Sequence, residues 1–305
     1  MEEKSVLLSL PANYALGMKQ QPKYKWWKPI VAGLLAFLFT MVFMVAFTMV
    51  IGVVAAVFGG ADGYNSLAAM FASDSDNYLG ADGDNVFAMA FSLGSVAIFL
   101  PAVGLANKIM GLGGFGRLSS VEGKLRWKRV WALFPWALLV AVVVMVLEIG
   151  LSVLAGEPLG EVRFPVATII VILILCPLQC AAEEYLCRGF LMQTFGSWIP
   201  IVVIPLILQA IIFTILHGYN IVGLIGVLIM GLMVGYFTLK TGGLEAGICI
   251  HTANNLPSFL LSAIFASAQT QTNVEWISLV PDLALQVLFF VVIYQICKRK
   301  GYWLR

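Results

Sequence analysis

The sequence predicts an all-α integral membrane protein, built as a bundle of about eight transmembrane helices. Of its 305 residues, 61% are hydrophobic and only 11% are charged, and the mean hydropathy is +0.95. Soluble domains carry roughly 25% charged residues, and a soluble fold of this length has too little interior to hide so much apolar surface. A bilayer removes that restriction, because apolar side chains then face lipid.

Long apolar runs indicate where the chain crosses the membrane. A helix needs about 20 apolar residues to cross the hydrocarbon, and backbone groups in lipid must hydrogen-bond within their own segment. We therefore predict helices at residues 29–58, 86–109, 131–155, 166–187, 199–217, 221–240, 244–267 and 277–297. Loop 59–85, rich in Gly, Ala, Ser and Asp, separates the first two helices.

The basic residues outside the spans predict the orientation. Most of them lie before the first span, after the second span and at the C-terminus, including Lys19, Lys23, Lys25, Lys28, Arg117, Lys124, Arg126, Lys128, Arg129, Lys298, Arg299 and Lys300. An even number of spans puts these three segments on one side, and Lys and Arg are enriched in cytoplasmic loops. We expect both termini in the cytoplasm. The net charge of +2 gives no basis for nucleic-acid binding.

The cysteines predict neither disulfides nor a metal site. The five lie in or beside apolar runs and lack metal-type spacing: Cys176, Cys180, Cys187, Cys249 and Cys297. We expect them to be small core residues.

Ionisable residues within apolar segments are the strongest functional signal in this chain. Such residues are costly in a bilayer and usually face a cavity or a partner. They are Glu148, Glu183, Glu184, Arg188, His217, His251 and Asp282, with Asn254 and Asn255 as polar neighbours. We expect Glu148 to be a packing or pairing residue, and Asp282 to cap a helix after Pro281.

Three of these residues are arranged to leave one carboxylate free. Glu184 and Arg188 are four residues apart, so they share a helix face and can form an ion pair. Glu183 points about 100° away from Glu184 around the helix axis. A carboxylate without a cation in a partly dry site is suited to general acid–base catalysis.

The two histidines of the chain complete the pattern. His217 follows Phe213 by four residues, and His251 precedes Asn255 by four. Histidine is the side chain best suited to proton transfer at physiological pH. Each feature alone fits a structural role, such as an interhelical hydrogen bond. Together they fall within residues 183–255, which favours one shared polar site.

The ordered motifs resemble those of a known family. Glu183-Glu184-x-x-x-Arg188, Phe213-x-x-x-His217 and His251-x-x-x-Asn255 are similar in order and spacing to the motifs of type II CAAX prenyl endopeptidases and their bacterial relatives. This is the CPBP (CAAX protease and bacteriocin-processing, or Abi) family of membrane proteases. The resemblance covers about residues 165–260.

The resemblance implies an intramembrane glutamic endopeptidase in the plasma membrane of a prokaryote, acting on a membrane-anchored or lipidated polypeptide. In that interpretation Glu183 activates water as a general base, and His217 holds or shares the proton of that water. His251 and Asn255 donate hydrogen bonds to the tetrahedral oxyanion, where the loss of one donor commonly costs about 10²–10³ in rate.

The remaining motif residues are assigned supporting roles by the same resemblance. Glu184 and Arg188 fix the motif helix, while Phe213 supports His217 or lines the cavity, and Asn254 is a further cavity residue. No cofactor is implied. Zinc is the alternative, because one Glu and two His are plausible ligands with an open fourth position. Against zinc, there is no His-Glu-x-x-His spacing, and each His lies on its own segment.

Two other functions stay open at this point. The first is a non-catalytic immunity or scaffold protein of the same fold. The second is a transporter in which Glu and His relay protons, although the inverted repeats typical of transporters are not evident. The sequence gives no oligomeric state.

The predicted organisation has four parts. Residues 1–28 are a basic cytoplasmic segment, and residues 29–160 contain the N-terminal helices with polar loop 59–85. Residues 161–267 form the catalytic transmembrane core, and residues 268–305 the last helix with a basic tail. Simple alternation of spans places Glu183 and His217 at opposite depths, unless the motif helix continues past Arg188 or prolines shift the depths.

Overall fold

A computed structural model describes residues 11, 13–72, 85–154, 156, 161–265 and 274–304. Its helices are α1 (Lys28–Ala72), α2 (Val86–Ala97), α3 (Phe99–Ile109), α4 (Gly114–Ser119), α5 (Trp127–Leu154), α6 (Val166–Glu184), a π-helix (Tyr185–Leu191), α7 (Met192–Trp198), α8 (Val203–Ile215), α9 (Ile221–Thr241), α10 (Glu245–Ile264), a 3₁₀ turn (Trp276–Ser278) and α11 (Leu279–Arg299). Within these residues there are isolated β-bridges but no strands. The predicted all-α membrane fold is confirmed.

The number of clear spans is lower than the predicted eight. Six helical runs in the described chain are long and apolar enough to cross a bilayer: Lys28–Asn65, Val86–Ile109, Trp127–Leu154, Val166–Trp198, Ile221–Thr241 and Trp276–Arg299. The other two predicted spans are helical but are not both long and apolar enough to meet this criterion. Val203–Ile215 is apolar but short, and α10 carries the polar residues of the third motif.

The first helix is longer than its apolar sequence predicts. α1 continues to Ala72, with a break at Gly60, whose φ of 61° lies in the left-handed region. The first part of the predicted loop 59–85 is therefore helical, and residues 73–84 lie outside the described chain. Large side chains such as Leu34 and Phe37 are about two-thirds exposed. An apolar outer surface of this kind is expected where a helix faces hydrocarbon.

Helix α10 occupies the centre of the bundle. It packs against α5, α6 and α9, while α2 packs on α6, α8 on α9, and α11 on both α5 and α9. The third motif is thereby brought into contact with α6, the helix that carries the first motif. The predicted burial of the cysteines is confirmed, since Cys176, Cys180, Cys187, Cys249 and Cys297 are all buried and unpaired.

The described part of the N-terminal segment packs on the bundle. Tyr14 is buried and donates a hydrogen bond to the carbonyl of Leu118. Trp198 Nε1 donates to the carbonyl of Trp26 at 2.8 Å. Because Tyr14 and Met18 join the same core cluster as Phe190 and Met192, this segment closes the end of the bundle near the π-helix.

A buried ion pair ties the loop before α5 to the start of α10. Arg126 donates to Glu245 through Nε (2.8 Å) and Nη2 (2.6 Å), and the backbone N–H of Arg126 donates to the same carboxylate at 2.9 Å. Burial alone would lower the pKa of the Arg126 guanidinium, but hydrogen bonds and attraction from Glu245 raise that pKa above its usual value. Glu245 is 1% exposed, and sequence reasoning missed it because it stands at the edge of an apolar run.

Candidate active site

The helix that carries the first motif continues well past it. α6, the π-helix and α7 follow one another without a break from Val166 to Trp198. Glu183 therefore lies near the middle of a 33-residue helical run and not at its end. This geometry removes the difference in depth that simple alternation of spans predicts. A π-helix is rare and often occurs at functional sites.

The predicted ion pair between Glu184 and Arg188 is present. Arg188 Nη1 lies 2.7 Å from Glu184 Oε1, and both side chains are completely buried. The guanidinium carbon of Arg188 also lies 4.2 Å from the centre of the Phe213 ring, a favourable position for a cation over an aromatic face. The pair therefore joins the first motif to the second.

His251 lies between the two adjacent glutamates. Its Nδ1 is 2.9 Å from Glu184 Oε1, and its Nε2 is 3.2 Å from Glu183 Oε2. Glu184 can only accept a hydrogen bond while it is ionised beside Arg188, so Nδ1 carries a proton. The Glu184 carboxylate thus fixes the orientation of the imidazole and directs Nε2 toward Glu183.

Glu183 differs from its neighbour in being accessible. Its side chain is 17% exposed, whereas that of Glu184 is 0% exposed. Within the described chain, Glu183 Oε2 is buried and has no hydrogen-bond partner, although His251 Nε2 lies 3.2 Å away. A carboxylate oxygen with an unused lone pair beside an imidazole is able to accept a proton.

Phe213 brings His217 to the same group. The ring centres of Phe213 and His217 are 4.5 Å apart, and those of Phe213 and His251 are 5.8 Å apart. His217 Nδ1 lies 2.7 Å from the Phe213 carbonyl oxygen. That oxygen can only accept, so Nδ1 carries the proton and Nε2 is left free. His217 also interacts electrostatically with both Glu183 and His251.

Asn254 and Asn255 reach the site from α10. Asn255 Nδ2 lies 3.5 Å from Gln179 Oε1, and Gln179 stands one helical turn before Glu183. Asn254 Nδ2 donates to Asn255 Oδ1 at 3.1 Å. Six of the eight predicted site residues therefore form one network of contacts, and Asn254 and Asn255 lie beside it, about one turn after His251 on α10.

Some neighbours of the site were missed by sequence reasoning. Gln179 shares a helix face with Glu183 at a spacing of four, which is a usable signal. Tyr219 stacks on His217 with ring centres 6.0 Å apart, but it follows the helix end. Gly247 lies where an added Cβ would come within 2.6 Å of Glu184 Oε2. Nothing in the sequence distinguishes this glycine from the others.

The two acidic residues outside the motifs do not behave as predicted. Asp282 is not a helix N-cap, because α11 begins earlier and Ser278 is its N-cap. The Asp282 carboxylate instead accepts from Gln286 at 3.0 Å. Glu148 lines a cavity, and it forms no ion pair in the parts of the chain that the structure describes. The pairing alternative for Glu148 is therefore not met among these residues, and the packing alternative stays a prediction.

The described side chains of the candidate site are not arranged as ligands of a metal ion. No group of three or more His, Cys, Asp or Glu side chains among the described residues is arranged to hold an ion. The described side chains therefore do not fit the three-ligand set that zinc requires.

Comparison with known proteins agrees with the geometry. Residues 165–257 match the family model described as type II CAAX prenyl endopeptidase Rce1-like. This segment is Rce1-like. The match begins at the N-terminus of α6 and ends two residues after Asn255, so the Rce1-like segment contains all three motifs. The predicted family resemblance is confirmed, and the chain is a multi-pass membrane protein with a segment similar to the Rce1-like family.

A curated relative extends the similarity beyond the Rce1-like segment. The chain is 30% identical over 169 residues to the uncharacterized protein YyaK of Bacillus subtilis (strain 168). The aligned region is 52% of this chain and 55% of the relative, so the chain spans about half the length of the curated relative that it matches. No solved structure matches the chain.

Proposed function

We propose that this protein is an intramembrane glutamic endopeptidase that hydrolyses a peptide bond in a membrane-anchored or lipidated polypeptide. The observation that carries the proposal is the pair formed by Glu183 and His251. The Glu183 side chain is 17% exposed, and its buried Oε2, which has no hydrogen-bond partner among the described residues, lies 3.2 Å from Nε2 of the His251 imidazole. The buried Glu184–Arg188 pair holds that imidazole in place. The Rce1-like match supports the same reaction class.

In the proposed reaction, Glu183 is the general base. It takes a proton from water, and the resulting hydroxide attacks the scissile carbonyl carbon to form a tetrahedral oxyanion. Collapse of this intermediate breaks the C–N bond, and protonated Glu183 returns the proton to the leaving amine. The products are a carboxylic acid and an amine, which exchange a proton to become a carboxylate and an ammonium group. His217, whose Nε2 is free, shares the proton of the water during the first step.

His251 and Asn255 stabilise the oxyanion in this proposal. Because Nδ1 of His251 donates to Glu184, Nε2 can donate only when the ring is an imidazolium. The two ring nitrogens lie 2.9 Å from the carboxylate of Glu184 and 3.2 Å from that of Glu183. The amide nitrogen of Asn255 makes only a long contact to Gln179 and is available for a stronger one.

An apolar cavity supports a substrate with a lipid chain. It has a volume of about 430 Å³ and is lined by residues such as Phe115, Trp131, Leu178 and Thr252. Thr252 is adjacent to His251 in the chain. A chain of CH₂ groups gains roughly 0.8 kcal/mol for each group buried, so an anchored polypeptide would be held beside the site by its lipid.

The test compares cells that produce the natural protein with cells that produce Glu183→Gln. We expect new N-termini on membrane proteins only with the natural protein, because an amide cannot accept the proton of water. Purified protein in proteoliposomes should then cleave the same substrates, and a chelator should leave that rate unchanged. The matched control is Cys187→Ala, which should retain cleavage because Cys187 is buried within the same motif.

Each alternative function gives a different result in this comparison. Cleavage that survives Glu183→Gln contradicts the general-base role. A cellular function that survives without any cleavage indicates a non-catalytic immunity or scaffold protein. Proton uptake by proteoliposomes that depends on Glu183 and His217 indicates a transporter.

A further inference from the structure

A second cavity lies beside the candidate active site, and the proposed reaction does not use its charged groups. Its volume is about 530 Å³, within the usual range for ligand pockets. The end of α5, the start of α9, the second half of α10 and the start of α11 enclose it. Its polar lining residues include Glu148, Tyr219, Asn254, Asp282 and Gln286.

Two residues that line the cavity contact residues of the candidate active site. Asn254 lines the cavity and donates a hydrogen bond to Asn255. Tyr219 lines it as well and stacks on His217, with the two rings only 20° from parallel. The cavity is therefore next to the candidate active site, and a residue near the scissile bond is the part of a substrate closest to it.

Both charged residues that line the cavity are acidic. Glu148 and Asp282 interact electrostatically with each other, although they come from different helices. No Lys, Arg or His lines the cavity in the described chain, and residues 266–273 contain none. Like charges that share a partly buried site repel each other unless a cation or a proton neutralises them.

Gln286 supplies an independent sign of a missing hydrogen-bond donor. Its side chain is 4% exposed, and its Nε2 donates to the Gly226 carbonyl at 3.1 Å and to Asp282 at 3.0 Å. Both neighbours are acceptors, so the amide cannot be flipped. Gln286 Oε1 is consequently left without a partner among the described residues, which is costly for a buried acceptor.

Gly226 allows this group to assemble. A Cβ at position 226 would clash with Asp282 Oδ2, so the missing side chain lets the carboxylate lie against α9. Apolar residues such as Val227, Met230 and Leu261 form the rest of the lining. The cavity thus pairs an apolar wall with a negative end. Long basic side chains match this arrangement, because their CH₂ stems bind apolar surface while their heads stay charged.

We propose that this cavity binds a lysine or arginine side chain of the polypeptide substrate, next to the scissile bond. The proposal rests on the proposed peptidase function, since it assigns a subsite to the same substrate. Glu148 and Asp282 neutralise the bound cation, and Gln286 Oε1 accepts one of its N–H groups. A basic residue at a fixed distance from the cleaved bond becomes a determinant of specificity.

The test measures binding and needs no turnover. The full chain carrying Glu183→Gln is placed in phosphatidylcholine nanodiscs, which have no net charge and so do not attract basic peptides. The probe is a positional library of N-palmitoylated alanine peptides, each with one arginine or, in the matched twin, one citrulline. Citrulline keeps the shape of arginine without its charge.

We expect at least one position at which arginine binds about tenfold tighter than citrulline, the ratio for roughly 1.4 kcal/mol. Adding Glu148→Gln and Asp282→Asn should reduce this ratio to about one, and added salt should lower it because screening weakens ion pairs. Glu161→Gln is the charge-matched control. Its exposed carboxylate does not line the cavity, so the preference should persist.

Two results overturn the proposal: no position favours arginine, or the preference survives Glu148→Gln with Asp282→Asn. Glu148→Gln alone keeps the test decisive if the double variant does not fold, because Glu148 makes no hydrogen bond in the described chain. It should lower the ratio severalfold. If the natural protein cleaves no substrate and the Glu148-dependent preference for arginine remains, the peptidase function fails and the cation site stands. If the natural protein cleaves substrates but binds no arginine peptide preferentially, the cation site fails and the peptidase function stands.

Discussion

At the scale of single residues, Gly247 is the least conspicuous part of the site. It lies four residues before His251 on α10, and an added Cβ would come within 2.6 Å of both Glu184 Oε2 and Val234 Cγ1. Glu184 orients the imidazole of His251. Any side chain at position 247 therefore acts on the reaction through Glu184, without touching substrate.

Gly247→Ala should lower the rate of peptide cleavage by about 10²-fold, the effect expected from a 1 Å displacement of a positioning group. The measurement is the cleavage rate in proteoliposomes. The control is Gly189→Ala, where the nearest atom to an added Cβ is 3.5 Å away. That variant should keep its rate within about twofold and gain up to about 1 kcal/mol of stability from higher helix propensity. Equal rates for the two variants would contradict the assigned role of Gly247.

Residue identity was the most predictable part of the site. Glu183, His217 and His251 stand out because ionisable side chains are rare in apolar helices, and a spacing of four correctly paired Glu184 with Arg188. The contacts of His251 could not be derived in this way. Its position between Glu183 and Glu184 depends on how α10 packs against α6, and no local pattern encodes that packing.

At the scale of elements, the Arg126–Glu245 pair holds the connection before α5 to the start of α10. The backbone adds two hydrogen bonds at the same place, from Val121 N to Gly242 O and from Leu244 N to Ser119 O, both 2.9 Å long. Because α10 carries His251 and Asn255, this connection fixes one end of the helix that completes the site.

Arg126→Gln should destabilise the protein by about 3–5 kcal/mol, because it leaves the buried Glu245 charge without a partner. Unfolding in detergent, followed by circular dichroism, measures the change. Arg126→Gln with Glu245→Gln should recover part of the loss, since no charge then stays buried alone. Glu161→Gln removes half of an exposed pair with Arg163 and should cost less than about 1 kcal/mol. A similar loss of stability in Arg126→Gln and in Glu161→Gln would contradict the interpretation that the Arg126–Glu245 pair is a buried ion pair.

The lengths of the elements were harder to predict than their existence. Gly59, Gly60 and Asp62 looked like the start of a loop, yet α1 continues past them to Ala72 with only a local break. α8 has just 13 residues, although its apolar run of sequence looked long enough to span. Hydropathy measures the solvent that side chains prefer, whereas helix ends depend on backbone geometry and tertiary packing.

At the scale of the whole molecule, the basic segments lie at one end of the bundle. The C-terminal segment packs there, with Leu304 N donating to Lys240 O at 2.7 Å and the Arg129 guanidinium over the ring of Tyr302. The cavity lined by Glu148 and Asp282 lies between the opposite ends of the same helices. We propose that the basic end faces the cytoplasm, as the distribution of Lys and Arg favours.

Cysteine labelling in intact bacteria tests this orientation. A membrane-impermeant maleimide should modify Glu161→Cys, which lies at the end away from the basic segments. Lys124→Cys, in the basic loop, should react only after the cells are permeabilised. The natural protein is the control, because its five cysteines are buried and should stay unlabelled. Labelling of Lys124→Cys in intact cells would reverse the proposed orientation.

The π-helix at Tyr185–Leu191 has a practical consequence for distance measurements on this protein. A wheel drawn at 100° per residue from Val166 to Trp198 assigns Met192 and its successors to the wrong azimuth, because the wider turn absorbs about one extra residue. Pairs of spin labels or crosslinkers placed on both sides of the motif must therefore be designed from two helical wheels, one for the residues before the π-helix and one for the residues after it. Their geometry would report directly on whether the wide turn tightens during turnover.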